Sequence, residues 1–132
     1  MGFGMTLLLD TCTFIWLCSA PEKLSSPAVR LLDEKANERT VSLASVWEIV
    51  LKFHSGKLPL PQAPARWIEE QLQLQDTHVL PLQRETLYGA GALPPVHKDP
   101  FDRVIAADAL RRNLRIVSPD SPFRAYGCEV EW

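Results

Sequence analysis

Residues 6–10 read Thr-Leu-Leu-Leu-Asp, an apolar run that ends on a carboxylate. A continuous apolar run of this kind predicts a strand that is buried on both faces of a sheet. Near the other end of the chain, residues 116–120 read Ile-Val-Ser-Pro-Asp and repeat the pattern. Because open α/β sheets place their ligand crevice at the carboxyl ends of the strands, Asp10 and Asp120 are predicted to border such a crevice.

Between these two strands, short apolar runs alternate with segments of helical periodicity. This alternation predicts βαβ units and an α/β fold with a mostly parallel central sheet. The predicted strands cover residues 6–9, 41–43, 79–82, 116–117 and 128–132. Six helices are predicted: one directly after residue 10, one that begins at 25–27, one over 45–54, one centred on 67–72, a short one near 87 and one over 99–113. The whole chain, residues 1–132, is expected to form one domain, in which residues 1–4 could be an extension before Met5.

The bulk composition excludes several classes of protein. A formal net charge of −2 does not indicate a polyanion partner, so any RNA or DNA contact must use a local basic surface. The three cysteines have neither CxxC nor zinc-site spacing, and their odd number predicts reduced thiols in a cytoplasmic protein. No apolar run approaches the roughly 18 residues of a membrane span, and the first residues lack the pattern of a signal peptide. We therefore expect no association with a membrane.

Two further acidic residues lie in predicted helices among apolar neighbours. Glu48 stands inside the apolar stretch 46–51, and Asp102 precedes apolar residues by three, four and seven positions, which predicts that it faces the core side. If these two converge with Asp10 and Asp120, repulsion between two carboxylates about 4 Å apart reaches about 4 kcal/mol at an effective dielectric constant of 20. Such a cluster requires protons or a divalent cation, and hard oxygen ligands favour Mg²⁺ or Mn²⁺.

Each carboxylate also has an ordinary structural interpretation, which the sequence leaves open. Asp10 is a favourable N-cap for the helix that follows it, and Asp120 lies in a proline-rich turn where Asp is common. Glu48 fits a capping box that starts at Ser45, and it precedes Lys52 by four residues, the spacing of a helical ion pair. The two interpretations differ in one respect: a metal site requires the four side chains to lie close together, whereas four independent caps and turns do not.

The segment around Asp102 contains a second acidic residue one helical turn earlier. Asp99 suits the N-cap, Pro100 the first helical position and Asp102 the third, where the helix dipole favours an anion. Asp102 is therefore the predicted ligand, and Asp99 the predicted cap or supporting residue. Two other features are predicted to be structural only: Asp108 forms a solvated pair with Arg112, and the four tryptophans serve as core anchors.

Three stretches of the chain together resemble the PIN-domain ribonucleases, and in particular the VapC-type toxins of bacterial toxin–antitoxin modules. The first is Leu8-Leu9-Asp10-Thr11 with the apolar helix behind it. The second is SLASVWEIVLKFHSGKL at residues 42–58, which carries Glu48. The third is HKDPFDRVIAADAL at residues 97–110, continued by VSPDSPFRAYGCEVEW at 117–132, and these carry Asp102 and Asp120.

The resemblance implies a Rossmann-like, three-layer α/β/α sandwich and Mg²⁺- or Mn²⁺-dependent hydrolysis of RNA phosphodiesters. It also implies that the chain is the toxin of a toxin–antitoxin module, that it forms a homodimer, and that a cognate antitoxin inserts into or near the acidic pocket. The implied catalytic and metal-binding residues are Asp10, Glu48, Asp102 and Asp120, supported by Asp99, Thr11 and Ser118. Cys12 departs from the family, which often has a harder polar side chain at that position.

Two other interpretations compete with a nuclease. A phosphatase of the haloacid dehalogenase type also begins with a strand that ends in Asp, but it needs a second Asp where this chain has Cys12. A PIN-like binding or scaffold module without catalysis is expected to have lost an acidic residue, whereas this chain has kept all four. Contact with the RNA phosphate is left open among Lys57, Lys98 and Arg103.

Overall fold

The central sheet has five strands, which are β1 (Thr6–Leu9), β2 (Glu38–Ser42), β3 (Thr77–Leu80), β4 (Arg115–Val117) and β5 (Val130–Glu131). They are all parallel, in the spatial order β3-β2-β1-β4-β5. The predicted parallel sheet is therefore confirmed. This computed structural model describes residues 4–132, so all but Gly4 of the predicted N-terminal extension lies outside the described residues.

Seven α-helices connect the strands within residues 4–132. They are α1 (Thr11–Ser19), α2 (Ser26–Asp33), α3 (Leu43–His54), α4 (Pro64–Leu74), α5 (Arg84–Ala92), α6 (Pro100–Arg112) and α7 (Pro122–Ala125). Four of them, α2, α4, α6 and α7, have a proline in the first turn, where the missing N–H has no helical partner to lose. None of these helices is long and apolar enough to cross a membrane.

The residues of β1 alternate between two hydrophobic cores, one on each face of the sheet. Leu7 and Leu9 pack with Phe14 of α1 in the first core, which α2, α3 and α4 also cover. Leu8 packs with Ile105 of α6 in the second core, which α7 completes. All three leucines are fully buried, and each such side chain contributes about 1.5–3 kcal/mol of transfer free energy. The result is the three-layer α/β/α sandwich implied by the resemblance.

The order of the strands places a crevice beside β1. From β1 the chain moves outward to β2 and β3, and it then returns to β4 on the opposite side of β1. Connections that leave in opposite directions open a gap at the carboxyl ends of the two strands, which is the usual ligand site of such sheets. Asp10 follows β1 directly, and Ser118 and Asp120 follow β4.

The start of α3 differs from the prediction. Ser42, the last residue of β2, is the N-cap, and its Oγ accepts a hydrogen bond from the Ala44 N–H at 3.1 Å. The predicted capping box from Ser45 to Glu48 is therefore wrong, because strand and helix join without a linker and Ser45 is already inside the helix. Likewise, β3 begins two residues earlier than predicted, because Thr77 pairs with Arg39 of β2.

Two predicted side-chain environments are also wrong: Asp108 is not solvated, and Trp47 is not in the core. Asp108 is completely buried, and its Oδ1 accepts a hydrogen bond from the Thr86 hydroxyl at 3.2 Å, because α5 packs against this face of α6. Arg112 stays near it, with 3.8 Å between Nε and Oδ1. Trp47 is 57% exposed instead of forming part of the core, whereas Trp67 is buried as predicted.

Candidate active site

Asp10 both caps helix α1 and lines the crevice beside β1. Its Oδ1 accepts a hydrogen bond from the Thr13 N–H at 2.9 Å, which caps α1, and its Oδ2 accepts one from the Ser118 hydroxyl at 2.6 Å. The side chain is almost fully buried, with an exposed fraction of 2%. Ser118 in turn accepts a hydrogen bond from the Asp120 N–H at 3.0 Å. The segments after β1 and β4 are therefore tied together at the crevice.

Glu48 reaches the same crevice from α3. Its Oε1 accepts a hydrogen bond from the Thr11 hydroxyl at 2.5 Å, and Thr11 also lies 2.9 Å from Ser45 Oγ. Its Oε2 lies 2.5 Å from Lys52 Nζ, which confirms the predicted ion pair. The carboxylate is thus buried between a neutral donor from α1 and a cation from its own helix.

The N-terminus of α6 supplies two more carboxylates. Asp99 is the N-cap, and its Oδ1 accepts hydrogen bonds from the N–H groups of Phe101 at 2.8 Å and of Asp102 at 3.2 Å. Asp102 stands in the first turn, with 15% of its side chain exposed, and its Oδ2 lies 3.2 Å from His97 Nε2. The cap geometry predicted for this segment is confirmed. Both side chains border the crevice.

These elements enclose one small acidic cleft of about 160 Å³. Its lining residues are Asp10, Thr11, Cys12, Ile15, Glu48, Lys52, Asp99, Asp102 and Asp120. All four predicted catalytic residues are brought together there, along with Asp99 and Thr11, while Ser118 contacts Asp10 from behind. Larger concavities exist elsewhere in the described chain, but none of them brings carboxylates of two helices and two strand ends together.

The PIN domain model matches residues 7–127, which include β2, β3 and β4, all of β1 but Thr6, and the whole cleft. This chain belongs to the PIN domain family. Ribonuclease VapC22 of Mycobacterium tuberculosis is 28% identical over 123 residues, which make up 92% of each chain.

Solved VapBC structures have the same fold at lower identity. VapBC2 from Rickettsia felis, bound to a DNA fragment from its promoter, matches with a TM-score of 0.73 and 15% identity over 96% of this chain and 98% of that one. VapBC-1 from nontypeable Haemophilus influenzae matches with a TM-score of 0.66 and 15% identity over 96% and 97%. At these identities the two structures establish similarity of fold alone.

The carboxylates of this PIN domain raise each other's affinity for protons. Burial, and after it the charges of Asp99, Asp10, Glu48 and Asp120, together raise the pKa of Asp102 to about 7. Burial also raises the pKa of Asp10, against the hydrogen bonds from Ser118 and Thr13. Keeping these carboxylates ionised side by side therefore costs free energy, and a bound proton or cation would reduce that cost.

The donor set fits a divalent cation. Ligand atoms of Asp10, Cys12 and Asp120 lie within 4.8 Å of one another, and so do those of His97, Asp99 and Asp102. Carboxylate oxygens predominate in both sets, which suits Mg²⁺ or Mn²⁺. Burial and the charge of Asp10 raise the pKa of the Cys12 thiol far above its ordinary value, so this side chain stays a neutral thiol beside the carboxylates.

Two basic residues differ from the sequence-based expectation. Arg103 does not line the cleft, because its guanidinium donates hydrogen bonds to the carbonyls of Ala90 at 2.7 Å and Leu93 at 2.9 Å and so holds the loop before α6. Lys52, which the sequence predicts only as the ion-pair partner of Glu48, does line the cleft. Its spacing of four residues from Glu48 was the available signal, since both side chains then share one helical face.

The raised pKa of Asp102 predicts how stability depends on pH when no metal is bound. Between about pH 4 and pH 7 the folded state retains a proton that the unfolded state has released, so the free energy of unfolding falls as pH rises through this window. We expect the melting temperature in EDTA to show this fall, and Asp102→Asn to lack this contribution. A difference between the two proteins that stays constant from pH 4 to 7 would contradict the assignment.

Proposed function

We propose that this PIN-domain protein is an endoribonuclease that hydrolyses RNA phosphodiesters with Mg²⁺ or Mn²⁺, and that it is the toxin of a toxin–antitoxin module. The observation that carries this proposal is the convergence of five carboxylates on one cleft at the switch point of a parallel sheet. The likeness to a ribonuclease along 92% of both chains supports the substrate class. The proposed unit is one domain that comprises the chain of residues 1–132 and acts in the cytoplasm.

Asp10, Glu48, Asp102 and Asp120 are the proposed metal-binding and catalytic residues. Thr11 and Ser118 act as supporting residues, since their hydroxyls donate to Glu48 and Asp10 and leave the other lone pairs of those carboxylates directed at the cleft. When bound, such a cation would supply positive charge near the phosphate oxygens and would lower the pKa of a water molecule.

The carboxylates themselves account for the remaining requirements of hydrolysis. An ionised carboxylate oxygen in the cleft accepts the proton that the attacking water loses. The Cys12 thiol does not act as a covalent nucleophile, because its raised pKa keeps it protonated at neutral pH. The attacking group is therefore water. Burial of Asp10 and Glu48 keeps their geometry constant while the substrate enters and leaves.

The test of this function is cleavage of a mixed RNA pool by the purified protein. We expect cutting with Mg²⁺ or Mn²⁺ and none in EDTA, with activity restored when excess metal is returned. The same reactions with a single-stranded DNA pool serve as the control for substrate class. The rival interpretation, a catalytically silent PIN-like binding module, predicts that RNA is bound but remains uncut with every metal.

The proposed partner is a cognate antitoxin protein. Similar solved structures are those of VapBC-1 and VapBC2, and an acidic cleft attracts a basic side chain of an inserted segment. We expect co-purified antitoxin to block RNA cleavage. Antitoxin affinity, measured by calorimetry, that is unchanged in the double variant Asp99→Asn and Asp120→Asn would place the inserted segment elsewhere.

A homodimer is the proposed assembly, with the exposed face of α3 as its contact. Leu43, Trp47 and Leu51 are 43%, 57% and 40% exposed and recur every four residues, so they form one apolar stripe. Because an apolar stripe with a central Trp is typical of protein interfaces, Trp47→Glu is expected to convert a dimer into a monomer in light scattering. Leu74→Glu, which alters a still more exposed apolar residue at the end of α4, is expected to leave the mass unchanged.

A further inference from the structure

The side chain of Lys52 extends from the solvent-exposed surface of α3 to the wall of the acidic cleft. Its ammonium lies 2.5 Å from Glu48 Oε2, whereas 46% of its side chain is exposed. The Glu48 carboxylate is almost completely buried, so the lysine stem spans the distance from solvent to the cleft wall. Because both residues belong to α3 and are four positions apart, the helix itself sets this geometry.

The charge of Lys52 is unusual for its surroundings. Among the nine residues of the described chain that line the cleft, five are carboxylates and Lys52 is the only basic one. Even with one divalent cation bound, the five carboxylates leave an excess of negative charge, so a polyanionic substrate is repelled unless further positive charge faces it. The other basic candidates do not supply that charge at the cleft wall: Arg103 is engaged with loop carbonyls, and neither Lys57 nor Lys98 is a lining residue.

We propose that Lys52 is the substrate-positioning residue of this cleft, and that its ammonium holds a phosphate of the RNA at the cleft mouth. An ammonium group has three N–H donors, of which Glu48 takes one, so two remain for phosphate oxygens on the solvent side. Glu48 keeps Nζ in place, which reduces the entropy lost when the phosphate binds. This inference rests on the proposed ribonuclease function and names the group that orients its substrate.

A different role for Lys52 would be to hold Glu48 in position for a cation. The two roles predict opposite effects on metal affinity when the charge of Lys52 is removed. If Lys52 binds phosphate, its loss weakens RNA binding but strengthens cation binding, because one positive charge no longer repels the metal. If Lys52 only orients Glu48, its loss weakens both.

The experiment compares Lys52→Met with Lys35→Met, which removes the same charge from an exposed site outside the cleft. Binding of a fluorescent single-stranded RNA pool is measured by anisotropy in Ca²⁺ over a range of salt concentrations, and binding of Mn²⁺ alone by calorimetry. For Lys52→Met we expect RNA affinity to fall about five- to tenfold, with a salt slope smaller by about 0.7, and Mn²⁺ affinity to rise about threefold. Lys52→Arg is expected to retain most of the RNA affinity.

Equal RNA affinity of Lys52→Met and Lys35→Met would overturn the inference, as would a joint loss of RNA and Mn²⁺ binding in Lys52→Met. If the wild-type protein binds and cuts RNA in these cases, the proposed function stands and only the role of Lys52 is lost. A wild-type protein that binds no RNA would overturn both. A melting temperature close to that of the wild type shows that each variant is folded.

Discussion

Replacement of Asp10 by Asn is expected to reduce metal-dependent RNA cleavage by at least about a hundredfold. Loss of a residue that merely supports a metal ligand already costs about 10- to 100-fold, and Asp10 is proposed to bind the metal directly. The substitution removes the charge of the most buried carboxylate of the cleft while keeping its shape. Initial rates with Mg²⁺ and Mn²⁺ and calorimetric Mn²⁺ binding measure the two consequences separately.

The same variant should remain folded and be at least as stable as the wild type in EDTA. An Asn side chain still accepts the Thr13 N–H that caps α1, and it no longer carries a buried charge beside Asp120. Asp76→Asn is the matched control, because Asp76 is exposed, precedes β3 at the opposite edge of the sheet and has a positive φ that Asn tolerates. Wild-type cleavage rates in Asp10→Asn would refute the proposed site.

Asp102→Asn is expected to lower cleavage by about a hundredfold or more, whereas Asp99→Asn costs less than about tenfold. Asn is as good an N-cap as Asp, so Asp99→Asn keeps the hydrogen bonds to Phe101 and Asp102 that begin α6. Asp102 has no such structural duty, and its charge faces the cleft. The two variants therefore separate a ligand from a cap within one helical turn, and they are compared by initial rates and by Mn²⁺ calorimetry.

The reverse order of effects would mean that Asp99, not Asp102, binds the metal. Equal losses would mean that the two carboxylates act as a pair, in which case the double variant should be no worse than either single one. Melting temperatures identify any contribution from unfolding. His97 lies 3.2 Å from Asp102, so His97→Gln is a useful further comparison for any effect of the imidazole on metal preference.

The parallel α/β fold could be predicted from the sequence because its signals are local. The apolar run of β1 and the Asp99-Pro100 start of α6 depend only on neighbouring residues, and both lie where they were predicted. The errors arose where a tertiary partner decided the outcome. Strand β3 begins at Thr77 because it pairs with β2, and α3 begins at Leu43 because β2 ends at Ser42.

Side-chain environments were less predictable than elements. Asp108 has the helical spacing of a solvated ion pair, yet α5 covers it completely. Trp47 has the composition of a core residue, yet it lies on the outer face of α3. The spacing of Asp108 from Arg112 correctly predicted that they lie near each other, but which face of a helix another element covers depends on packing between elements.

The sequence by itself determined which carboxylates stand at strand ends and at the first turn of α6, because periodicity and capping preferences are properties of short segments. Only the tertiary structure decided that Asp10, Glu48, Asp102 and Asp120 meet in one cleft, since return of the chain from β3 to β4 creates the crevice beside β1. It also decided the raised pKa of Asp102 and the place of Lys52 at the cleft wall. Burial and charge–charge interactions depend on distances between residues far apart in the chain, and those distances exist only after folding.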